Sequence, residues 1–172
     1  ARFDMKKLEA INGDKIRALS PEDFLKWSLP FLTNAGIITG ADAELTLVKL
    51  ALPIIQERIV KLDEIPAMLK FLFVKEFAIE SDSKEKIKDD QSKQVLKRAL
   101  EVLEPLASWT HDSIEGALRA ALIEEMGLKP RIAFGAVRIA ATGSHISPPL
   151  FESMELLGKE ASISRIKGAI SL

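Results

Sequence analysis

The sequence of 172 residues contains no cysteine and no tyrosine. Without cysteine the chain forms neither disulfide bonds nor thiolate metal sites, which fits a protein kept in a reducing cytoplasm. Its two histidines, His111 and His145, are too few and too far apart in the sequence to indicate a zinc site. No apolar run approaches the roughly 18 residues that indicate a transmembrane helix. These absences predict a cytoplasmic protein with no metal site and no membrane contact.

Glycine-rich phosphate loops are also missing, since neither a GxxxxGK nor a GxGxxG pattern occurs. The first residues, ARFDMKKLE, lack the apolar segment of a signal peptide. Because the chain begins with alanine and not with methionine, we expect a piece of a longer protein. What the sequence does contain, 47% hydrophobic and 28% charged residues, is typical of a folded globular protein.

Charge is unevenly distributed along a chain whose formal net charge is −1. Residues 129–172 include six basic and three acidic residues, so the rest of the chain is acidic. A basic C-terminal region on an acidic protein suits contact with a polyanion over a limited surface. Ordinary solvated surface charge would produce the same pattern, and charge alone does not decide between the two.

Apolar residues recur at helical spacing along the chain. Ile65, Met68, Leu69 and Leu72, for example, lie at positions i, i+3, i+4 and i+7. No segment alternates with a period of two over more than a few residues, and no internal repeat is evident. We therefore predict an all-α protein.

Local signals divide this pattern into separate helices. A Ser-Pro pair at positions 20 and 21 predicts a helix start. An Asn-Gly pair at positions 12 and 13 predicts a break between two short helices, the first of which would begin after Phe3. The polar stretch 80–94 is the best candidate for a domain boundary, either as a solvated linker or as a helix start.

The most distinctive stretch is residues 131–158, RIAFGAVRIAATGSHISPPLFESMELLG. It predicts a tightly packed helix that ends at Gly143, a tight loop, and a second helix that begins at Pro149 and ends at Gly158. The second helix has an apolar face along residues 150–157. Two consecutive prolines remove backbone donors from its start, so this loop is better suited to rigid contact by shape than to binding a phosphate.

Arg138 lies in the middle of the small-residue helix and allows two interpretations. Its stem can be buried with its head in water, or its planar guanidinium can hydrogen-bond a base edge and stack on a splayed base. His145 is similarly either a plain loop residue or a stacking partner for a base. We predict that Trp27 and Trp109 are core residues, and with 6% aromatic residues the chain lacks the aromatic platform of common single-strand-binding folds.

The segment VRIAATGSHISPPLFESMELLGKEASISRI combines an arginine, a TG turn, a proline-containing loop and an LLGKE stretch. In this it resembles the C-terminal end of bacterial glutamyl-tRNA synthetases, which are class I aminoacyl-tRNA synthetases. The segment FDMKKLEAINGDKIRAL is similar to the part of those enzymes that follows their second ATP-site motif. The resemblance therefore covers essentially the whole chain.

This resemblance implies an anticodon-binding helical cage of two small subdomains, preceded by a remnant of a stem-contact region. We place the remnant at residues 1–34, the first subdomain at 35–82 and the second at 83–172. The implied function is recognition of a tRNA anticodon during translation.

The intact enzyme, by the same resemblance, uses ATP and Mg²⁺ to ligate glutamate to its tRNA. This chain has neither the His-x-Gly-His segment nor the KMSKS-like segment that bind ATP in the family, so we expect no cofactor, no catalytic residue and no activity in the chain alone. The expected partners are the anticodon arm of tRNA(Glu) and the N-terminal catalytic domain of the same protein. We expect a monomer.

Site residues are carried over from the family one by one. Arg138 matches the arginine that reads the anticodon, and Ser147, Pro148 and Leu150 match the loop and helix start that contact the anticodon bases. Pro149 fills a position that is often glycine in the family, so the backbone approach differs there.

Arg58, in the segment QERIVKLDEI, falls where some family members have a second anticodon-reading arginine and others a glutamine. An arginine here favours strict discrimination between glutamate and glutamine tRNAs without settling it, and a solvated helix arginine is the alternative. A second hypothesis for the whole chain is a helical protein–protein module without RNA specificity, which would dock a partner through the face 150–157.

Overall fold

The computed structural model describes residues 4–172, so Phe3 lies outside the described range. Within that range every regular element is helical and no strand occurs, which confirms the all-α prediction. The helices are α1 (Met5–Arg17), α2 (Pro21–Asn34), α3 (Asp42–Gln56), α4 (Ile65–Leu69), α5 (Ser81–Lys84), α6 (Asp90–Leu103), α7 (His111–Leu118), α8 (Pro130–Thr142), α9 (Leu150–Leu157) and α10 (Lys159–Ile170). None of the helices in residues 4–172 is long and apolar enough to cross a membrane.

The chain folds into two compact units, an N-terminal unit that ends at Lys75 and a C-terminal unit that begins at Glu76. The predicted division at residue 34 falls inside the N-terminal unit, where α2 packs against both α3 and α4. The predicted division at residue 82 falls inside the C-terminal unit. The assignment of two anticodon-binding subdomains and a stem-contact remnant stays a prediction.

The N-terminal unit begins with α1, which continues through the Asn-Gly pair where a break was predicted. Tertiary contacts explain the difference, because the Asn12 side chain donates a hydrogen bond to the carbonyl of Val60. Gly13 is buried, and a Cβ there would lie 3.2 Å from Cγ1 of Val60. The glycine therefore serves close packing within a helix and not a turn.

Helix α2 starts as predicted, with Pro21 at its first turn and the Ser20 hydroxyl accepting a hydrogen bond from the Asp23 backbone N–H at 3.1 Å. Its buried face is formed by Phe24, Ser28 and Leu32, which lie four residues apart. Trp27 falls beside this face and is 55% exposed, so the prediction that it is a core residue was wrong.

The C-terminal unit contains one hydrophobic core, built by α6 to α10. Helix α6 packs against α8 and α10, and α7 packs against α9. Trp109 packs on this core as predicted, and its indole N–H donates to the carbonyl of Met154 at 2.8 Å. After α7 the chain continues through a π-helical segment, Arg119–Glu125, that keeps Ala121 buried.

The polar stretch 80–94 is folded and is not a linker. It forms α5, a 3-10 turn over Glu85–Ile87 and the start of α6. Ser83 and Ile87 are buried despite their polar surroundings in the sequence. This stretch forms part of the site described next.

Candidate nucleic-acid interface

Helix α8 ends at a position that only glycine fits. Gly143 has a φ of 81°, and its backbone N–H donates to the carbonyl of Ile139 at 2.9 Å. A Cβ on Gly143 would lie 2.9 Å from the carbonyl oxygen of Ala78. This turn sends the chain into the loop of residues 144–149, which we call the anchor loop.

Arg138 holds the anchor loop from the side of α8. Its Nη1 donates to the hydroxyl of Ser147 at 2.7 Å and to the carbonyl of Pro148 at 2.8 Å. The arginine side chain is half-buried, whereas Ser147 and Pro148 are buried. Hydrogen bonds from a charged donor to two loop atoms fix both the guanidinium and the loop.

Ser83 of α5 holds the same loop from a second side. Its hydroxyl accepts a hydrogen bond from the His145 backbone N–H at 3.0 Å and lies 2.9 Å from Nδ1 of the His145 ring. Ser83 is fully buried, and the carboxylate of Asp82 lies 3.5 Å from the same ring nitrogen. Sequence reasoning missed Ser83, because nothing in the sequence pairs a serine of the polar stretch with a loop 62 residues later.

The structure brings Arg138 into contact with two of the four other predicted residues of its segment, Ser147 and Pro148. Pro149 is half-buried and precedes α9 as its N-cap, with an extended ψ of 132°, so the helix begins one residue later than predicted. Leu150 is buried in the core. Arg58 belongs to the N-terminal unit, where it is exposed in the turn after α3.

A groove of about 660 Å³ is lined by the start of α6, by α8 from Pro130 to Ile139 and by the anchor loop. Its basic side chains come from Lys86, Arg131 and Arg138, and His145 of the anchor loop also lines it. The remaining lining residues are polar, small or apolar, among them Gln91, Ser92, Pro130, Ile132, Phe134, Gly135, Ala136 and Ile139.

Among residues 4–172, Asp89 is the only acidic residue on the wall of this groove. Its carboxylate caps α6 by accepting hydrogen bonds from the Ser92 backbone N–H at 2.9 Å and from the Ser92 hydroxyl at 2.7 Å. Both bonds lower the pKa of Asp89 below its usual value, and the bond from the hydroxyl has the larger effect. The groove thus combines three cations with one carboxylate that is already engaged.

The basic C-terminal region predicted from the sequence is not a single basic surface. Lys159 donates to the carbonyl of Leu106 at 2.7 Å, and Lys167 pairs with Glu104 at 2.6 Å. Arg165 donates to the carbonyl of Ala141, its guanidinium lies 4.0 Å from the centre of the Phe77 ring, and burial lowers its pKa to about 10. Of the six basic residues in 129–172, only Arg131 and Arg138 of α8 line the groove. Lys86, from the polar stretch, is the third basic residue on its wall.

The apolar face of α9, which the second hypothesis assigned to a protein partner, is packed inside the C-terminal unit. Leu150 and Met154 are buried, and the Phe151 ring meets the Phe134 ring edge-on at a centroid distance of 5.3 Å. This face packs against α7, α8 and α10, so it is not available for docking and that prediction was wrong. Within residues 4–172, no three His, Asp or Glu side chains are grouped to hold a metal ion.

Comparison with known proteins assigns the chain to a family. Residues 23–170 match the model of the family described as anticodon binding domain. The glutamate–tRNA ligase of a Nocardioides species is 48% identical over 174 aligned positions, which cover 99% of this chain and 35% of the relative. The glutamate–tRNA ligase of Saccharopolyspora erythraea is 43% identical and is covered over 34% of its length. The chain therefore spans about a third of the length of these relatives.

Solved structures agree at the level of the fold. A glutamate tRNA ligase from Elizabethkingia meningosepticum, solved in complex with its amino acid, superposes with a TM-score of 0.72 at 23% identity, covering 99% of this chain and 33% of that one. A glutamate–tRNA synthetase from Elizabethkingia anophelis gives a TM-score of 0.70 at 22% identity and is covered over 32% of its length. The resemblance inferred from the sequence is confirmed: the chain belongs to the anticodon-binding domain family, and its relatives there are glutamate–tRNA ligases.

Proposed function

We propose that this chain binds the anticodon arm of tRNA(Glu) and reads its bases, as the anticodon-binding part of a glutamate–tRNA ligase. In the intact enzyme the remaining two thirds of the protein would be the N-terminal catalytic domain of the same chain. That domain would bind ATP, Mg²⁺ and glutamate and ligate the glutamate to the tRNA. We place the enzyme in the cytoplasm and propose that it acts as a monomer. The relatives' shared name and the family match support this proposal.

The observation that carries the proposal is the anchoring of the loop that borders the groove. Arg138 bonds Ser147 and Pro148, and Ser83 bonds His145, so the anchor loop is held at both ends. A surface that is ordered before binding loses less conformational entropy when a ligand arrives. Unpaired anticodon bases are flexible, so a rigid protein surface suits their selection by shape and hydrogen bonding.

The site residues take different parts in this proposal. Arg138 is half-buried and lines the groove, so its guanidinium is the group that meets a base there. Ser147, Pro148 and Leu150 are buried and act by positioning the loop. Pro149 is half-buried and offers a rigid surface, and the exposed Arg58 supplies a second contact to the anticodon from the N-terminal unit.

The test is a fluorescence titration of the chain with anticodon stem-loops that differ only in the anticodon. We expect the cognate stem-loop to bind more tightly than altered ones, with an affinity that falls as salt rises, because phosphate contacts release counterions. A chain that binds all stem-loops with the same affinity, or none of them, would contradict the proposal.

A further inference from the structure

The groove beside the anchor loop contains two cations that the fold does not use. Lys86 and Arg131 line it and are exposed, and within residues 4–172 neither forms an ion pair or a hydrogen bond from its side chain. Two cations nearby in the sequence are engaged: Lys88, two residues from Lys86, pairs with Glu85, and Arg98 pairs with Glu101 and Glu125.

The start of α8 increases the positive potential in the groove. The first turn of α8, which carries Arg131, contains no acidic residue, so the positive end of the helix dipole is not offset there. Asp89 caps α6 and offsets one of the three positive charges on the wall. A groove with a net positive charge attracts an oppositely charged chain over a limited length.

We infer that Lys86 and Arg131 bind backbone phosphates of the RNA loop whose bases are read at Arg138, an inference that rests on the function proposed above. The side chains of Lys86 and Arg131 are exposed and unbonded, so they can follow a flexible backbone, whereas Arg138 is fixed by two hydrogen bonds. Phosphate contacts position a nucleic acid and contribute affinity, and base contacts give specificity. The groove thus divides the two tasks between its exposed, unbonded cations and the hydrogen-bonded Arg138.

Exposed Ile132 supports this assignment, since it follows Arg131 on the groove wall and is 43% exposed. An apolar side chain next to a phosphate-binding cation offers a surface to a ribose or a base face. The ligand is therefore single-stranded RNA and not a small free anion, for which an apolar neighbour has no use.

The experiment is a titration of stem-loops with cognate and altered anticodons at several salt concentrations, using wild type, Lys86→Ala, Arg131→Ala and the double variant. Each single change should reduce the slope of log K against log salt by roughly 0.7, the value for one phosphate contact on a single strand. Both single variants should weaken the binding of all stem-loops alike and preserve the ratio of cognate to altered affinity.

Two kinds of control match these variants. Lys97→Ala removes an exposed lysine of α6 that does not line the groove and should leave the salt slope unchanged. Lys86→Arg and Arg131→Lys keep the charge and should keep the slope, because a phosphate contact needs charge and not one geometry.

An unchanged salt slope in Lys86→Ala and Arg131→Ala, or a changed cognate ratio, would overturn the inference. If wild type prefers the cognate stem-loop but the salt slopes of Lys86→Ala and Arg131→Ala equal that of wild type, the inference fails and the proposed function stands. If wild type shows no preference or no binding, the proposed function fails and the inference fails with it. Circular dichroism of each variant verifies that the helices are intact.

Discussion

The two arginines predicted to read the anticodon differ in how the fold holds them. Arg138 projects from the middle of α8, is half-buried, and donates from Nη1 to two atoms of the anchor loop. Arg58 lies exposed in the turn after α3 and forms no ion pair within residues 4–172. The same side chain is thus ordered by the fold in one place and solvated in the other.

This difference has an energetic consequence for binding. Immobilising a side chain with many rotamers costs about 0.5–1.5 kcal/mol when a complex forms. For Arg138 that cost is met when the protein folds, and for Arg58 it would be met when RNA binds. We therefore expect Arg138 to contribute more to affinity and to the discrimination between anticodons.

The largest expected effect is that of Arg138→Ala. Losing a bidentate contact to a base should weaken cognate binding by roughly 1–3 kcal/mol and reduce discrimination against altered anticodons. The helix should persist, because alanine is the best helix former. Titrations with cognate and altered stem-loops, well below the melting temperature, measure both effects.

Arg98→Ala is the matched control, because it removes an arginine of the same unit that pairs with Glu101 and Glu125. It should leave discrimination unchanged. If Arg138→Ala retains the wild-type ratio of cognate to altered affinity, Arg138 does not read a base.

Ser147→Ala sharpens the comparison by making Arg138 more like Arg58. The variant keeps the guanidinium but removes one of its two loop partners, and the lost hydrogen bond should lower stability by roughly 1 kcal/mol. Discrimination should fall, but less than in Arg138→Ala. Thermal unfolding and the same titrations measure the two effects.

Ser144→Ala provides the control within the same loop, since the Ser144 hydroxyl accepts from the Ile146 backbone N–H and does not contact Arg138. Equal discrimination in Ser147→Ala and wild type would mean that the hydrogen bond to Arg138 has no part in reading.

Arg58→Ala should have a smaller effect than Arg138→Ala. The difference between the two losses in binding free energy should be about 0.5–1.5 kcal/mol, the cost of ordering an exposed side chain. Stability should not change, because Arg58 forms no ion pair in the described chain. Arg58→Gln, tested with glutamate and glutamine anticodon stem-loops, separates a contribution to discrimination from one to affinity.

The smallest effect concerns a charged pair away from both arginines, His111 and Glu155. The hydrogen bond from the His111 ring to the Glu155 carboxylate at 3.0 Å, followed by the charge of Asp112, raises the pKa of His111. The hydrogen bond from the His111 backbone N–H lowers the pKa of Glu155. A raised folded-state pKa for histidine means that its contribution to stability is full below the unfolded pKa and is lost as pH rises through the folded pKa.

We therefore expect the melting temperature to fall slightly between pH 6 and pH 8, and Glu155→Gln to flatten this dependence. The ratio of cognate to altered affinity should not change with pH in this range, because neither His111 nor Glu155 lines the groove. If the ratio of cognate to altered affinity falls together with the melting temperature in this range, discrimination depends on overall stability. A difference between the Arg138 and Arg58 variants would then not indicate a difference in base reading.

Charge and hydrophobic patterns predicted less of the site than of the fold. The excess of basic residues in 129–172 pointed to a polyanion surface, but Lys159, Arg165 and Lys167 are engaged with other parts of the C-terminal unit. The groove instead includes Lys86, from the polar stretch that the sequence marked as a domain boundary, either a solvated linker or a helix start. Which cations remain available depends on neighbours that are distant in sequence.

The sequence by itself determined the helical fold class and several of the helix ends. Helical spacing of apolar residues, the Ser20 cap and the left-handed turn at Gly143 depend on residues within one or two turns, so they can be read locally. Tertiary structure alone decided that Asn12 and Gly13 stay helical, since the partner, Val60, is 48 residues away from Asn12. It also decided that Ser83 anchors His145 across 62 residues, because long-range contacts override local preference only once the chain has folded.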